Sequence, residues 1–156
     1  PLIEGKSLLE LTLERIEKIN NFTLPIIVGS QSHNFFIHTI LEKINFECLL
    51  LSEPIQKNTS ASIYLAALYS KPDDFLVVMP SDHLIPNSTY FSNIIQTIST
   101  CISRDEWLTL GIQPTKPSES YGYIQVSEDI VSHKNNQLKK VINFIEKPSK
   151  EKAKIT

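Results

Sequence analysis

The sequence predicts an α/β fold in which a mostly parallel sheet lies between helices, giving three layers. Short apolar runs that suit buried strands alternate with longer stretches of helical periodicity, and this alternation repeats several times along the chain. The length of 156 residues is enough to bury one sizeable core. We therefore expect a single domain over residues 1–156.

The first two thirds of the chain carry the predicted repeating units. Ser7 and Glu10 fit a capping box, which predicts a helix that continues to about Asn20. The periodicity then predicts, in order, a strand over Pro25–Gly29, a helix over His33–Lys43, a strand over Phe46–Leu51, a helix from Asn58 to about Tyr69, a strand over Phe75–Met79, a helix over Thr89–Ser103 and a strand over Leu108–Ile112.

The last third of the chain has a different pattern. Tyr123–Val126 and Leu138–Ile145 read as two strands of a hairpin or meander, and the polar segment Ser127–Gln137 joins them. This pattern predicts that the chain ends in antiparallel structure rather than in another βα unit.

Composition excludes several classes of protein. The net charge of −2 and the lack of any Lys/Arg block argue against nucleic acid or a membrane surface as the main partner. No apolar run approaches the roughly 20 residues that span a bilayer, and no signal peptide opens the chain. Cys48 and Cys101 form no metal-binding spacing, so we expect reduced, buried thiols in a cytoplasmic protein. Because the sequence begins at Pro1 and its one methionine is Met79, we expect either a processed chain or a fragment of a longer protein, and we favour the fragment.

Asp82 is the most informative single residue of the chain. It follows the apolar run Phe75–Met79 and Pro80, which ends the predicted strand. Ligands of open α/β sheets bind at the carboxyl ends of strands, and one aspartate there can hold a hard cation against phosphate oxygens. A turn or helix-capping aspartate is the alternative. No glycine-rich phosphate loop accompanies it in this sequence.

Four segments together resemble the sugar-1-phosphate nucleotidyltransferase family, and within it the bacterial mannose-1-phosphate guanylyltransferases. They are similar to the family patterns E-P-x-x-R-N-T-A-P-A-I, L-P-A-D-H, P-T-x-P-E-T-G-Y-G-Y-I and F-x-E-K-P. In this chain they are Glu53–Ile63, Met79–His83, Pro114–Ile124 and Phe144–Pro148. The resemblance implies a Rossmann-like, GT-A-like nucleotidyltransferase domain that is truncated at both ends. The family's glycine-rich loop would precede residue 1, so the isolated chain is expected to be inactive.

The resemblance implies transfer of a nucleotidyl group from GTP to mannose-1-phosphate, which gives GDP-mannose and pyrophosphate. Such transfer depends on positioning and charge neutralisation more than on a protein nucleophile. By the resemblance, Asp82 binds Mg²⁺ and the nucleotide, and Asp82 and Lys147 are the catalytic residues. The implied pathway is GDP-mannose and polysaccharide biosynthesis, and the implied protein is compatible with a homo-oligomer.

The segment after the second predicted strand is implied to bind the nucleotide. Its candidate residues are Glu53, Lys57, Asn58, Thr59 and Ser60, whose carboxylate, amine, amide and hydroxyl groups can read a base edge. Asn58 and Thr59 are equally suited to cap a helix, and capping and base contact can coexist.

Four residues are implied to bind the sugar phosphate. Gly122 allows close approach of the backbone to a sugar because it has no Cβ, although a turn or bulge is the alternative. Glu146 can accept hydrogen bonds from sugar hydroxyls, and Lys147 can meet a phosphate as a point charge. An exposed Glu-Lys pair is the alternative for these two. His83, next to Asp82, is placed on the sugar side, with an isolated surface histidine as the alternative.

Three departures from the family pattern keep other functions open. Lys57 replaces an arginine, Ser60-Ala61-Ser62 replaces A-P-A, and Ser120 replaces a glycine. One alternative is another sugar-1-phosphate nucleotidyltransferase with a different base or sugar. Another is a non-catalytic sugar-nucleotide-binding or regulatory domain on the same fold, and a structural domain without a ligand site is the third.

Overall fold

The computed structural model describes residues 2–17, 19, 22–55, 58–133 and 136–153. The chain divides into two compact units, Pro1–Ser99 and Thr100–Thr156. The first unit contains β1 (Leu2–Ile3), β2 (Lys6–Ser7), α1 (Leu8–Glu17), β3 (Ile26–Ser30), a 3₁₀ turn (Gln31–His33), α2 (Asn34–Ile44), β4 (Leu49–Glu53), α3 (Asn58–Leu68) and α4 (Ser88–Ser99). The second contains β5 (Tyr123–His133), β6 (Asn136–Ile145) and α5 (Lys150–Ala153).

Strands β3 and β4 form the predicted parallel pair. They run in register from Ile26 opposite Leu49 to Ser30 opposite Glu53, and α2 makes the crossover between them. Gly29 permits close packing of this helix on β3, because a Cβ at that position would lie 2.8 Å from Ile37 Cδ1. Both strands therefore end at one edge, which places Glu53 at the carboxyl end of the pair.

Two apolar clusters form the core of the first unit. Leu13 and Ile16 of α1 pack with Ile37 and Leu41 of α2, under the parallel strands. The second cluster joins Ile19 to Phe91 and Ile95 of α4. Met79 packs against both clusters, so the segment that precedes Asp82 is fixed to the core at this side chain.

The capping box predicted at Ser7 and Glu10 is confirmed. The Ser7 amide donates to Glu10 Oε2 at 2.6 Å, and the Glu10 amide donates to Ser7 Oγ at 3.1 Å. Glu10 is buried, and its Oε1 accepts from Lys43 Nζ of α2 at 2.6 Å. The bond from Lys43 and those from Ser7 lower the pKa of the Glu10 carboxyl from its ordinary 4.5 to about 2. This carboxylate therefore joins the start of α1 to the end of α2.

We expect Glu10→Gln to destabilise the protein at neutral pH by about 1.5–3 kcal/mol, the usual contribution of hydrogen bonds to a charged group. Because the folded-state pKa is depressed, the wild-type contribution is complete above 4.5 and disappears as the pH falls towards about 2. Thermal unfolding at stepped pH should show the two proteins converging at the acid end. Glu14→Gln, which removes the more exposed ion pair between Glu14 and Lys6, is the control. Parallel curves for Glu10→Gln and wild type would contradict the assignment.

The second unit contains the predicted hairpin. Tyr123 pairs with Ile145 at its open end, and the register shifts between Gln125 and Ile130. Much of the segment predicted as a polar link lies in the strands themselves, since β5 continues to His133 and β6 begins at Asn136. Long paired strands can be polar on a solvent-facing side, which explains why the polar composition was misleading.

Two predicted strands are not formed. Phe75–Met79 and Leu108–Ile112 carry no strand in the structure, and the described residues offer them no ladder partner. Phe75 and Val78 are 49% and 50% exposed, and Ile112 is 83% exposed. A strand requires a paired neighbour, so apolar composition alone does not produce one.

Several helix boundaries also shift. Helix α4 ends at Ser99 instead of Ser103, and α2 ends one residue later than predicted, with Asn45 in the left-handed conformation at φ 50°. Helix α1 ends at Glu17 among the described residues, and residues 18 and 20 of its predicted continuation lie outside them. In the part of the chain that the structure describes, no helix combines the length and the apolar character needed to cross a bilayer.

Candidate functional site

Asp82 lies in an exposed turn with Ser81, after the extended segment 75–80. The carboxylate makes no hydrogen bond or ion pair with any other residue that the structure describes. A turn-capping aspartate, which is the alternative for Asp82, would need a hydrogen bond that this carboxylate does not make to any described residue. The Asp82 side chain is instead available to a ligand.

Three contacts hold this turn in place. Met79 packs on both apolar clusters before the turn, and Ile85 packs on the second cluster after it. Between them, the carbonyl oxygen of His83 accepts a hydrogen bond from Arg15 Nη2 at 3.0 Å. A free carboxylate thus projects from a segment whose two flanks and whose backbone are tied to the unit's core.

The chemistry of this turn fits Mg²⁺. Among the residues that the structure describes, no three His, Cys, Asp or Glu side chains are grouped as ligands, so Asp82 would be a lone protein ligand. Mg²⁺ retains several waters and commonly binds one or two carboxylates together with substrate phosphates. One exposed carboxylate on a held turn meets that requirement, provided the remaining ligands come from phosphate and water.

The residues predicted to bind the nucleotide lie near the carboxyl end of the parallel pair. Glu53 ends β4, and its Oε1 accepts a hydrogen bond from Ser62 Oγ of α3 at 3.1 Å. Asn58, Thr59 and Ser60 form the exposed first turn of α3, with Asn58 left-handed at φ 51°. This position agrees with the general location of ligands in open α/β sheets. The predicted nucleotide residue Lys57 lies outside the described residues.

The helix over Asn58–Leu68 confirms the predicted helix in this region, which was expected to reach about Tyr69. Asn58 lies within α3 as its first residue, and the residue before it is outside the described part of the chain. The capping role proposed for Asn58 and Thr59 therefore stays a prediction, as does their contact with a base.

In the second unit, the residues predicted to bind the sugar come together at the open end of the hairpin. Gly122 precedes β5 and Glu146 follows β6, so the pairing of Tyr123 with Ile145 places them side by side. A Cβ at Gly122 would lie 2.8 Å from Glu146 Oε2. The missing side chain of Gly122 therefore leaves the space that the Glu146 carboxylate uses.

Lys147 continues the chain directly after this carboxylate. Its backbone is left-handed at φ 43°, and its Nζ lies 3.8 Å from Glu146 Oε1. Both side chains are largely exposed, so their ion pair contributes little to stability and both charges can turn to a ligand. His83 was also predicted to bind the sugar. It is exposed, and its carbonyl oxygen accepts the hydrogen bond from Arg15.

Sequence reasoning missed three residues that shape these regions. Arg15 holds the turn at Asp82, and Ser62 binds Glu53. Tyr123 Oη accepts from the Ser118 amide at 2.8 Å and donates to the Ser118 carbonyl at 3.2 Å, which ties the preceding loop to the hairpin. Ser62 and Tyr123 lie inside the quoted motifs, where a hydroxyl was a usable signal. Arg15 lies in none of the quoted motifs and offered no such signal.

Comparison with known proteins gives one consistent result. A family profile described as nucleotidyl transferase matches residues 1–156. The mannose-1-phosphate guanylyltransferase of Salmonella montevideo is 31% identical over 153 residues, which are 96% of this chain and 32% of that protein. The alginate biosynthesis protein AlgA of Pseudomonas putida is 28% identical over 151 residues, or 94% of this chain and 30% of that protein. This chain thus spans about a third of the length of these curated relatives.

A solved structure supports the same fold. The crystal structure of mannose-6-phosphate isomerase from Helicobacter pylori is similar over 99% of this chain and 57% of its own, with a TM-score of 0.83 and 31% identity. The predicted α/β class and the predicted family resemblance are confirmed by these matches. Because the family profile matches residues 1–156, the chain belongs to the nucleotidyl transferase family.

Proposed function

We propose that the protein carrying this chain is a mannose-1-phosphate guanylyltransferase. A phosphate oxygen of mannose-1-phosphate attacks the α-phosphorus of GTP and forms the new P–O bond, while the bond to the β-phosphate breaks and pyrophosphate leaves. The observation that carries this proposal is the free carboxylate of Asp82 on a turn held to the core, within a nucleotidyl transferase chain. The relatives named as guanylyltransferases support the choice of GTP and mannose-1-phosphate.

The first unit is proposed to bind the nucleotide and the metal. Asp82 would hold Mg²⁺, which when bound neutralises charge on the phosphate oxygens. Glu53 keeps one carboxylate oxygen engaged by Ser62, which orients the other for a base edge. Thr59 and Ser60 add hydroxyl groups on the exposed first turn of α3. These groups position the triphosphate and read the base, and none acts as a nucleophile.

The second unit is proposed to bind the sugar phosphate. Glu146 accepts hydrogen bonds from sugar hydroxyls, and Lys147 donates to the phosphate whose oxygen attacks. Gly122 supports both by leaving the Glu146 carboxylate in its place. Because hydrogen bonds to charged groups are the stronger ones, these two side chains can fix the orientation of a small substrate.

The proposed substrates and product are water-soluble, and we place the reaction in the cytoplasm. The product, GDP-mannose, would serve polysaccharide biosynthesis, which agrees with the name of the AlgA relatives. The alternative within the same family is a sugar-1-phosphate nucleotidyltransferase that accepts a different base or a different sugar.

The test is product formation by the full-length protein with GTP, mannose-1-phosphate and Mg²⁺. We expect GDP-mannose by anion-exchange chromatography and mass spectrometry, with pyrophosphate in equal amount. UTP, ATP and glucose-1-phosphate are the competing substrates. Faster turnover with one of them would transfer the assignment to that nucleotide or sugar. Binding of GDP-mannose without any turnover would favour a non-catalytic binding domain.

A further inference from the structure

We propose that Arg15 is a positioning residue for Asp82: it fixes the backbone directly after the Ser81–Asp82 turn so that the carboxylate faces the metal and the nucleotide. This inference rests on the function proposed for Asp82. It concerns a residue of helix α1 that lies 68 positions away in the sequence from the carbonyl it binds. No motif quoted above contains it.

The geometry around Arg15 is specific. The residue is only 3% exposed, and its Nη2 donates to the His83 carbonyl at 3.0 Å. The guanidinium carbon lies 5.4 Å from the centroid of the Phe91 ring of α4, within the range of a cation–π contact. The guanidinium thus bridges α4 and the turn from its place on α1.

A buried cation without a counter-charge is costly, so its presence needs a reason. In the residues that the structure describes, no carboxylate lies within ion-pair distance of Arg15, and burial lowers the pKa of its guanidinium. An apolar side chain of similar length would fill the same space without that cost. What an apolar side chain would lack is the cation–π contact with Phe91 and the hydrogen bond to the His83 carbonyl, and only the second of these acts on the segment that carries Asp82.

That hydrogen bond restrains the part of the turn that apolar packing leaves free. Met79 and Ile85 anchor the two flanks, but methyl and methylene contacts are non-directional and do not fix peptide orientation. The His83 carbonyl belongs to the residue directly after Asp82. This carbonyl belongs to the His83–Leu84 peptide plane, and holding that plane restrains the backbone directly after Asp82, and so limits where the carboxylate points.

Arginine suits this position better than lysine. A planar guanidinium can lie over an aromatic ring and donate in its own plane at the same time, whereas an ammonium is a compact, strongly hydrated charge. Arg15→Lys should therefore keep a hydrogen-bond donor but restrain the His83 carbonyl less well than arginine does. Arg15→Met should lose the directional contact altogether while keeping most of the buried volume.

The first measurement needs no activity. We expect Arg15→Met to lower the backbone NMR order parameters of Ser81–Leu84 from about 0.85, the value of rigid backbone, to about 0.6 or below, with those in β3 unchanged. Arg15→Lys should give intermediate order parameters. Ile16→Val, a mild core change next to it on α1, is the control and should leave the turn as in wild type.

The second measurement follows catalysis by the full-length protein. Arg15→Met should lower kcat about tenfold and raise the Mg²⁺ concentration for half-maximal rate, with KM for mannose-1-phosphate unchanged. Arg15→Lys should recover part of the loss. A merely structural role predicts a loss no larger than that of a core variant with the same melting temperature, and that result would overturn the inference.

The two proposals can fail separately. If Asp82→Asn abolishes turnover while folded Arg15 variants keep wild-type order parameters at Ser81–Leu84, the inference about Arg15 is wrong and the role of Asp82 stands. If Asp82→Asn keeps full activity, the role of Asp82 is wrong and the positioning role of Arg15 fails with it. Should Arg15→Met not fold, Arg15→Lys decides, and wild-type order parameters at Ser81–Leu84 in that variant overturn the inference.

Discussion

Replacing Asp82 by asparagine in the full-length protein is expected to lower kcat by about 100-fold or more, which corresponds to about 2.7 kcal/mol of transition-state stabilisation. Asparagine keeps the size of the side chain but removes its negative charge, so it is a poor ligand for a hard cation. Steady-state rates with GTP, mannose-1-phosphate and Mg²⁺ measure the effect directly. Higher Mg²⁺ should restore only the part of the loss that comes from weaker metal binding, because the metal-bound complex still lacks its charged protein ligand.

The same substitution should leave the fold almost unchanged. The Asp82 carboxylate is exposed and makes no hydrogen bond or ion pair with the described residues, so its replacement takes no polar interaction away from the fold. Asp74→Asn is a matched control, since Asp74 Oδ2 accepts a hydrogen bond from the Lys71 amide at 2.9 Å and has a structural role. We expect the Asp74→Asn protein to be somewhat less stable than wild type and to keep the wild-type kcat. Near wild-type turnover of Asp82→Asn would remove the proposed metal site.

Local patterns predicted the elements that local interactions stabilise. The capping box at Ser7 and Glu10 needs residues only three positions apart, and the βαβ unit follows from two apolar runs around a helix. A hairpin or meander over Tyr123–Val126 and Leu138–Ile145 was also predicted, and these two segments do pair. In each case the interactions that form the element are encoded within a short window of sequence.

Interactions between distant segments were not predictable in this way. The apolar run Phe75–Met79 suits a strand, but a strand forms only against a neighbour, and the described residues provide none. The contact of Arg15 with the His83 carbonyl joins segments 68 positions apart through one side-chain rotamer and one backbone carbonyl. No periodicity or spacing marks such a pair, so only the structure reveals it.

The sugar end shows how a motif and the structure complement each other. The family resemblance singled out Gly122, Glu146 and Lys147 without saying how they relate. The structure adds that Gly122 and Glu146 face each other across the end of the hairpin, where a Cβ at Gly122 would lie 2.8 Å from the carboxylate oxygen. Gly122 therefore acts by allowing the position of the Glu146 carboxylate, and variants at the two residues can test this.

We expect Glu146→Ala and Lys147→Ala in the full-length protein each to lower kcat/KM for mannose-1-phosphate by one to two decades. Loss of a hydrogen bond to a charged group costs about 1.5–3 kcal/mol, which sets this range. GTP affinity, measured by calorimetry, should change little, because these residues are assigned to the sugar phosphate. Equal losses for both substrates would mean that the pair supports the local fold instead.

Gly122→Ala should reproduce the Glu146 defect without touching the carboxylate itself. The new Cβ would meet the far end of an exposed, flexible side chain, so the melting temperature should stay near that of wild type while the carboxylate is displaced. Because both changes act on one group, the double variant Gly122→Ala/Glu146→Ala should be no worse than Glu146→Ala alone. Additive losses in that variant would show that Gly122 acts independently, by direct approach of its backbone to the sugar. Gly111→Ala, at a glycine whose added Cβ meets nothing within 4 Å, is the control and should leave both kinetic parameters unchanged.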